Sequence, residues 1–194
     1  MIFTPEHEAL RKTVRNFVDQ EMDPFVNEWE QAGKAPLHDL FKKMGDLGLL
    51  GIHKPEAFGG TGLDYSYNLV FAEEIGRAYG GSIPMAIGVQ TDMATPALAR
   101  FGSDELKREF LTPAISGDMV ACIGVSEPQA GSDVANIKTT AVRDGDDYIV
   151  NGSKTFISGA MSADWISTAV RTGGDGAAGI SMFTIPMDLK GVSR

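Results

Sequence analysis

The sequence holds a single cysteine, Cys122, among 194 residues. One thiol cannot close a disulfide within the chain, so a disulfide-stapled secreted scaffold is excluded and a reducing, cytoplasmic compartment is expected. Histidine is nearly as scarce: His7, His38 and His53 stand far apart, in neither HxH nor HxxxH spacing. Such a set makes a poor metal centre, and surface or packing roles are expected for all three. Basic residues are outnumbered 17 to 26 by acids, giving a net charge of −9. A phosphate backbone rewards Lys and Arg, so no nucleic-acid partner is expected. No apolar run approaches the roughly 18 residues that span a bilayer, which argues against a membrane partner. The opening MIFTPEHEAL carries acids and a proline where a signal peptide needs a basic start and an apolar stretch.

What is present is apolar material for an ordinary globular interior, with 43% hydrophobic residues. It is patterned in two ways. Up to about residue 115 the period is helical. Thr4 is placed to cap, Pro5 suits the first helical position, and Glu6 and Glu8 favour the positive end of the helix dipole. Leu10, Val14, Phe17 and Val18 then share one face, extended by Met22 until Pro24. A second helix is predicted over residues 36–47, with Leu37, Leu40, Phe41, Met44 and Leu47 inward. A third runs from Tyr65 to Ala78, with Leu69, Val70 and Ile75 buried. Residues 82–88 and 92–101 are further candidates, and Ser103 caps another with Leu106, Phe110 and Leu111 inward.

From Met119 the runs are short and β-rich: MVACIGV, IKTTAVR, YIV, TFIS, WISTAV and ISMFTI. Asp144-Gly145 and Asn151-Gly152 read as hairpin turns between them. RTGGDGAAG, residues 171–179, reads as a mobile loop. The fold class expected is α+β and multidomain. An N-terminal all-α helical bundle over residues 1–117 is followed by an antiparallel β-barrel or sandwich over 118–194. The second part is shorter than the roughly 100 residues such a domain needs, and so reads as truncated.

Several chemistries find little support. Ser126 sits in GVSEP, not in a GxSxG elbow. Glu73 and Glu74 are adjacent on a helix, point to different sides and suggest a solvated face. GGTG at 59–62 lacks the GK[ST] ending of a phosphate loop. AGSD at 130–133 reads as a tight turn with hydroxyl and amide donors, its glycine allowing close backbone approach. Phe156 and Ser158, two apart on a predicted strand, share a face that can stack on a flat ring and donate a hydrogen bond to it, although on these two residues alone a cross-strand packing pair is the stronger reading.

GVSEPQAGSD at 124–133 and NGSKTFIS at 151–158 resemble the two flavin-contacting segments of the acyl-CoA dehydrogenase family. PEAFGGTGLD at 55–64 is similar to that family's helical-domain loop, and MATPALARFGSDELKREFLTPAISGD to its approach to the β-domain. The resemblance runs in order along essentially the whole chain. It implies a helical domain, a β-domain and a C-terminal four-helix domain, the last absent from these residues. It implies FAD, an acyl-CoA substrate, and α,β-dehydrogenation to a 2-enoyl-CoA. Electrons pass to an electron-transferring flavoprotein, and the intact enzyme forms a homo-oligomer, a tetramer. Ile123, Val125, Ser126, Gly131, Ser132, Phe156, Ile157 and Ser158 are thereby candidates for the cofactor. Ser132, Met85, Gln90 and Thr91 are candidates for the substrate, and Glu127 for a structural carboxylate. The catalytic base is expected in the missing C-terminal region, which makes this chain inactive by itself. Asn136 and Gly159-Ala160 depart from the family pattern. The stretch GVQTDMATPALARFGSDEL is similar to branched-chain or citronellyl-CoA dehydrogenases. The rival readings are a non-catalytic flavin- or acyl-CoA-binding partner chain, and an oxygen-using relative such as an acyl-CoA oxidase or flavin monooxygenase.

Overall fold

The computed structural model describes residues 3–194. They divide into two compact units, the first ending at Val120 and the second running Ala121–Arg194.

The first unit is helical. Helix α1, Pro5–Phe17, starts where expected: the Thr4 backbone N–H donates to His7 Nδ1 at 3.1 Å, and Pro5 occupies the first turn. Val14 and Phe17 are buried, and the face continues through a π-turn, Val18–Met22, to a fully buried Met22. A short helix α2, Val26–Ala32, follows; it has no clear apolar period and was not anticipated. Helix α3, Leu37–Asp46, buries Leu37, Leu40, Phe41 and Met44. Each such side chain contributes about 1.5–3 kcal/mol of transfer free energy. Leu47 was expected on that face but lies past the helix end and is half exposed.

Helix α4, Tyr65–Ile75, buries Val70, Phe71 and Ile75, with the Asp64 carboxylate accepting from the Ser66 N–H at its start. Leu69, expected inward, is also half exposed, because the inward face carries Asn68 and Glu74 instead. The chain then runs through α5 (Ser82–Gly88), a second π-turn (Val89–Ala94) and α6 (Thr95–Phe101). Ser103 accepts from the Leu106 N–H to cap α7, Asp104–Leu106, and a π-turn, Lys107–Leu111, leads to α8, Thr112–Ile115. Phe110 and Leu111 are buried as expected, whereas Leu106 is partly exposed.

Glu74 corrects the solvated-face expectation. Its side chain is 1% exposed and accepts from Arg11 at 2.7 Å and from Arg15 at 2.9 Å, pinning α4 to α1. Hydrogen bonds from Arg15 hold it below the usual carboxylate range in spite of burial, with Arg11 adding to them. Only Glu73 is exposed.

The second unit is a five-stranded sheet: β1 Ala121–Gly124, β2 Thr140–Asp144, β3 Asp147–Asn151, β4 Trp165–Arg171 and β5 Ile180–Pro186. It is mixed, not antiparallel. Strand β4 pairs parallel with β1 (Ala121 opposite Trp165) and antiparallel with β5 (Trp165 opposite Pro186). One further parallel pairing, Thr140 with Arg171, brings in the β2–β3 hairpin. Alternation could not reveal this, because β4 is buried from Trp165 to Val170 and reads as a continuous apolar run. Asp144-Gly145 turns a hairpin as expected, with Gly145 at φ 63°. Asn151-Gly152 does not. Gly152 is there for close approach: a Cβ on it would lie 2.3 Å from Thr139 Oγ1. The 171–179 segment is tied down by Arg171, whose guanidinium donates to the carbonyls of Gly174, Gly176, Ile137 and Ala135.

Candidate functional site

In the second unit two loops meet. The first follows β1 and closes on itself, with the backbones of Glu127 and Ala130 exchanging hydrogen bonds at 2.9 and 3.1 Å. The tight turn is therefore EPQA at 127–130, three residues before the AGSD expected from the sequence, and Gly131, Ser132 and Asp133 project beyond it, exposed. The second loop covers residues 152–164. TFIS was expected to be a strand, and it is not one. The Thr155 N–H donates to the Ser126 carbonyl at 2.9 Å, so this segment bonds to the first loop instead of to a ladder. Phe156 and Ser158 consequently share no strand face.

The two loops are held by a buried ion pair. Lys154 Nζ donates to Glu127 Oε1 at 2.7 Å and to the Val125 carbonyl at 3.2 Å. Glu127 also accepts from the backbone N–H groups of Lys138 at 2.6 Å and Thr139 at 3.0 Å, and from the Thr139 hydroxyl. Burial pushes this carboxyl up, but the hydrogen bonds from Lys154, Thr139 and Lys138 outweigh it and bring it to about 2. The acid has all of its lone pairs committed and is ionised at every ordinary pH, which suits an anchor and not a proton-transfer group. Lys154 was not singled out from the sequence; the signal available was its place between a hairpin-like Gly and an aromatic, with no acid nearby in the chain.

What the anchor presents is Phe156. Its side chain is 94% exposed, and its φ of 58° is the sole positive value at a non-glycine position among the described residues. Left-handed backbone costs an ordinary residue about 1–2 kcal/mol, and here it turns an aromatic ring into solvent. Ser158, beyond it, is exposed, while Ile123, Val125, Ser126 and Ile157 are partly buried. The carbonyls of Val125 and Ser126 are occupied by Lys154 and Thr155, which leaves ligand contact to the N–H groups and the Ser126 hydroxyl. A Cβ on Gly131 would meet nothing within 4 Å, so the backbone there borders open space.

The three residues expected to line an acyl pocket lie in the helical unit. Met85 on α5 is half exposed. Gln90 is 1% exposed and gives its amide hydrogens to the Ala114 and Met119 carbonyls, both at 2.9 Å. Thr91 is 3% exposed, its hydroxyl within reach of the Ile87 carbonyl and Asp92. Gln90 and Thr91 thus shape the turn from inside.

One constellation in this unit imitates a hydrolase triad. His7 Nε2 lies 2.7 Å from the Ser66 hydroxyl, which donates to Asp64. The protons run the wrong way for nucleophile activation. Nδ1 accepts from Thr4, so the ring proton sits on Nε2 and faces the serine, where a general base needs a lone pair. His7, stacked on Tyr67 at 3.7 Å, is a packing residue. Cys122 is fully buried, and burial raises its thiol to about 12. That excludes a thiolate nucleophile.

Residues 4–118 match the model of the acyl-CoA dehydrogenase N-terminal domain and residues 122–194 that of its middle domain. A 3-(aryl)acrylate reductase from Clostridium sporogenes is 38% identical over 100% of this chain and 51% of its own length. The structure of a probable acyl-CoA dehydrogenase from Mycobacterium abscessus superposes with a TM-score of 0.92 at 41% identity, covering 98% of this chain and 50% of the other. An acyl-CoA dehydrogenase from Bacillus anthracis, solved with FAD, gives 0.89 at 31% identity, with 98% and 33% coverage. The chain spans about half the length of the curated relatives it matches. The two matched ranges cover the helical and the sheet unit in turn: the chain belongs to the acyl-CoA dehydrogenase family, of which it carries the N-terminal and middle domains.

Proposed function

We propose that this chain is the flavin- and acyl-binding portion of an FAD-dependent oxidoreductase that interconverts acyl-CoA and 2-enoyl-CoA thioesters. The observation that carries the reading is Phe156: a strained, almost fully exposed aromatic, held out by the buried Lys154–Glu127 anchor. A flat ring laid on it would cover apolar surface that now faces solvent, and that burial would offset the strain. The chemistry that FAD supplies when bound is acceptance of a hydride from the acyl β-carbon. The chain's own residues bind and orient. Phe156 and Ile157 pack on the ring, and Ser158 donates a hydrogen bond to it. The Ser126 hydroxyl and the N–H groups of Ile123 and Val125 meet its polar edge. Gly131 lets the backbone approach, and Ser132 bonds the CoA portion of the substrate. Met85 lines the acyl chain over the turn that Gln90 and Thr91 hold.

Neither buried acid fits the α-proton base. Glu74 is committed to Arg11 and Arg15, and Glu127 to Lys154. We assign the base to sequence outside these 194 residues, together with the oligomer contacts and the docking of an electron-transferring flavoprotein. The Clostridium relative's name favours a second direction, reduction of the enoyl bond, which needs the same binding groups.

The test is the visible spectrum of the chain after gel filtration with excess FAD. A retained, shifted flavin band that Phe156→Ala and Ser158→Ala abolish, with unchanged circular dichroism, supports the site. Equal retention by both variants refutes it.

A further inference from the structure

The helical unit buries a second cation, Lys54, in the loop before α4. It is 1% exposed and forms no ion pair with a carboxylate among the described residues; its ammonium donates to the Thr91 carbonyl at 2.6 Å and to His53 Nε2 at 2.8 Å. An unpaired buried ammonium is costly, so its retention calls for a physical reason.

The reason lies in the helix it touches. Residues 82–101 run helically throughout, but Val89–Ala94 is widened into a π-turn, in which each carbonyl takes the N–H five residues on. For Thr91 that residue is Pro96, which has no N–H to give. The Thr95 hydroxyl is shared between the Gln90 carbonyl at 2.7 Å and that of Thr91 at 3.2 Å. A buried carbonyl thus stands at a helix defect, and the lysine reaches it from 37 residues away in sequence.

The surrounding polar groups keep the lysine there. An ammonium has no lone pair, so His53 Nε2 accepts from it and the neutral ring carries its proton on Nδ1, which faces Asn68 Oδ1 at 3.1 Å. Asn68 in turn donates to Asp92 at 2.7 Å, and the Thr91 hydroxyl lies 2.7 Å from the same carboxylate. The series Lys54, His53, Asn68, Asp92 spans the charge from ammonium to carboxylate through two neutral side chains and returns to the π-turn at its far end. Burial, and then the charge of Lys54, keep His53 below its ordinary value, in agreement with a neutral ring. Burial lowers Lys54 to about 8, with Asp92 opposing the shift.

We propose that Lys54 is a positioning residue for acyl binding: its ammonium stands in for the backbone N–H that Pro96 lacks and so holds the Val89–Ala94 turn in its widened form. The inference rests on the reading above in which this turn underlies the acyl pocket.

Four proteins test it, each the full chain supplied with FAD: wild type, Lys54→Met, Pro96→Ala and the double variant. Amide hydrogen exchange is read at residues 89–95, and octanoyl-CoA binding by calorimetry. Lys54→Met is expected to speed exchange in the turn and to weaken octanoyl-CoA, each by about tenfold, and adding Pro96→Ala to return both to within about threefold of wild type. A general packing defect would not be relieved by restoring one N–H at position 96. Unchanged exchange and affinity in Lys54→Met, or a loss that Pro96→Ala leaves untouched, overturns the inference. Should Lys54→Met not fold, Lys54→Gln, which keeps an N–H donor on a shorter uncharged stem, takes its place in the same cycle. A wild-type chain that does not bind octanoyl-CoA overturns the acyl reading itself, and the exchange data then decide on their own whether Lys54 holds the turn.

Discussion

Replacing Lys154 with methionine removes the cation from beneath the two loops while keeping the length of the side chain. Glu127 then stays buried with a full charge and only the Lys138, Thr139 and Gln129 donors to satisfy it. Two routes give the size of the loss. Removing one partner of a buried pair costs about 3–5 kcal/mol. Independently, moving a carboxyl from 4.5 to about 2 on folding corresponds to about 3 kcal/mol at 1.36 kcal/mol per unit. Since three donors besides the lysine share in that shift, the lower end, about 3 kcal/mol, is expected. Against a typical total of about 5–15 kcal/mol this is a large fraction.

The assay is urea denaturation followed by the fluorescence of Trp165, fully buried at the start of β4, in a Trp29→Phe background that leaves it the sole tryptophan. The sign with pH follows from a depressed carboxyl: its stabilisation is fully present above 4.5 and is lost as pH falls toward 2. In Lys154→Met the folded-state value moves back toward 4.5, so the decline below pH 4.5 becomes shallower. The double variant Lys154→Met/Glu127→Gln removes the stranded charge and is expected to be more stable than Lys154→Met alone. A loss of under about 1 kcal/mol for the single variant, or a double variant less stable than the single, would refute the anchor argument.

Three further outcomes follow from the geometry. Phe156→Gly should leave the sheet unit as stable as before or raise it by up to about 1 kcal/mol, because φ 58° costs glycine nothing, while flavin retention disappears; thermal melts and the flavin spectrum check the pair of effects. Glu74→Gln should lower the urea midpoint of the helical unit, with Trp29 as reporter, because the carboxylate that joins α4 to both Arg11 and Arg15 of α1 loses its charge; the loss is expected to be smaller than for Lys154→Met, since Arg15 is 44% exposed and Arg11 keeps Glu73. Cys122 should react with a thiol reagent at pH 8 only once urea unfolds the sheet unit; prompt labelling of the native chain would contradict its burial.

How far the sequence alone reaches is visible in which residues it placed well. Val14, Phe17, Leu40, Phe41 and Met44 were legible because a helix repeats its buried face every three to four residues, a signal contained within each segment. Leu47 and Leu69 fit the same period but are half exposed, one because the helix stops before it, the other because a buried glutamate takes the inward face. The charges that organise both units were illegible for a different reason. Glu74 finds its arginines 59 and 63 residues away, Lys154 finds Glu127 at 27, and Lys54 finds Thr91 at 37. No local pattern encodes such partners. For the loops, the motifs located the segments that meet, but the strand expected over TFIS failed, since its backbone donors go to the neighbouring loop.

Strand β4 bonds β1, β2 and β5, and β3 joins only through β2. This arrangement sets an order of events during synthesis. The helical unit is complete once Val120 has emerged, but β1 has no sheet partner until 40 more residues, 125–164, have been made and β4 follows. At about 5–20 residues per second, the apolar β1 waits roughly 2 to 8 seconds before it can pair. In that window it is the segment of this chain that a chaperone has most reason to hold.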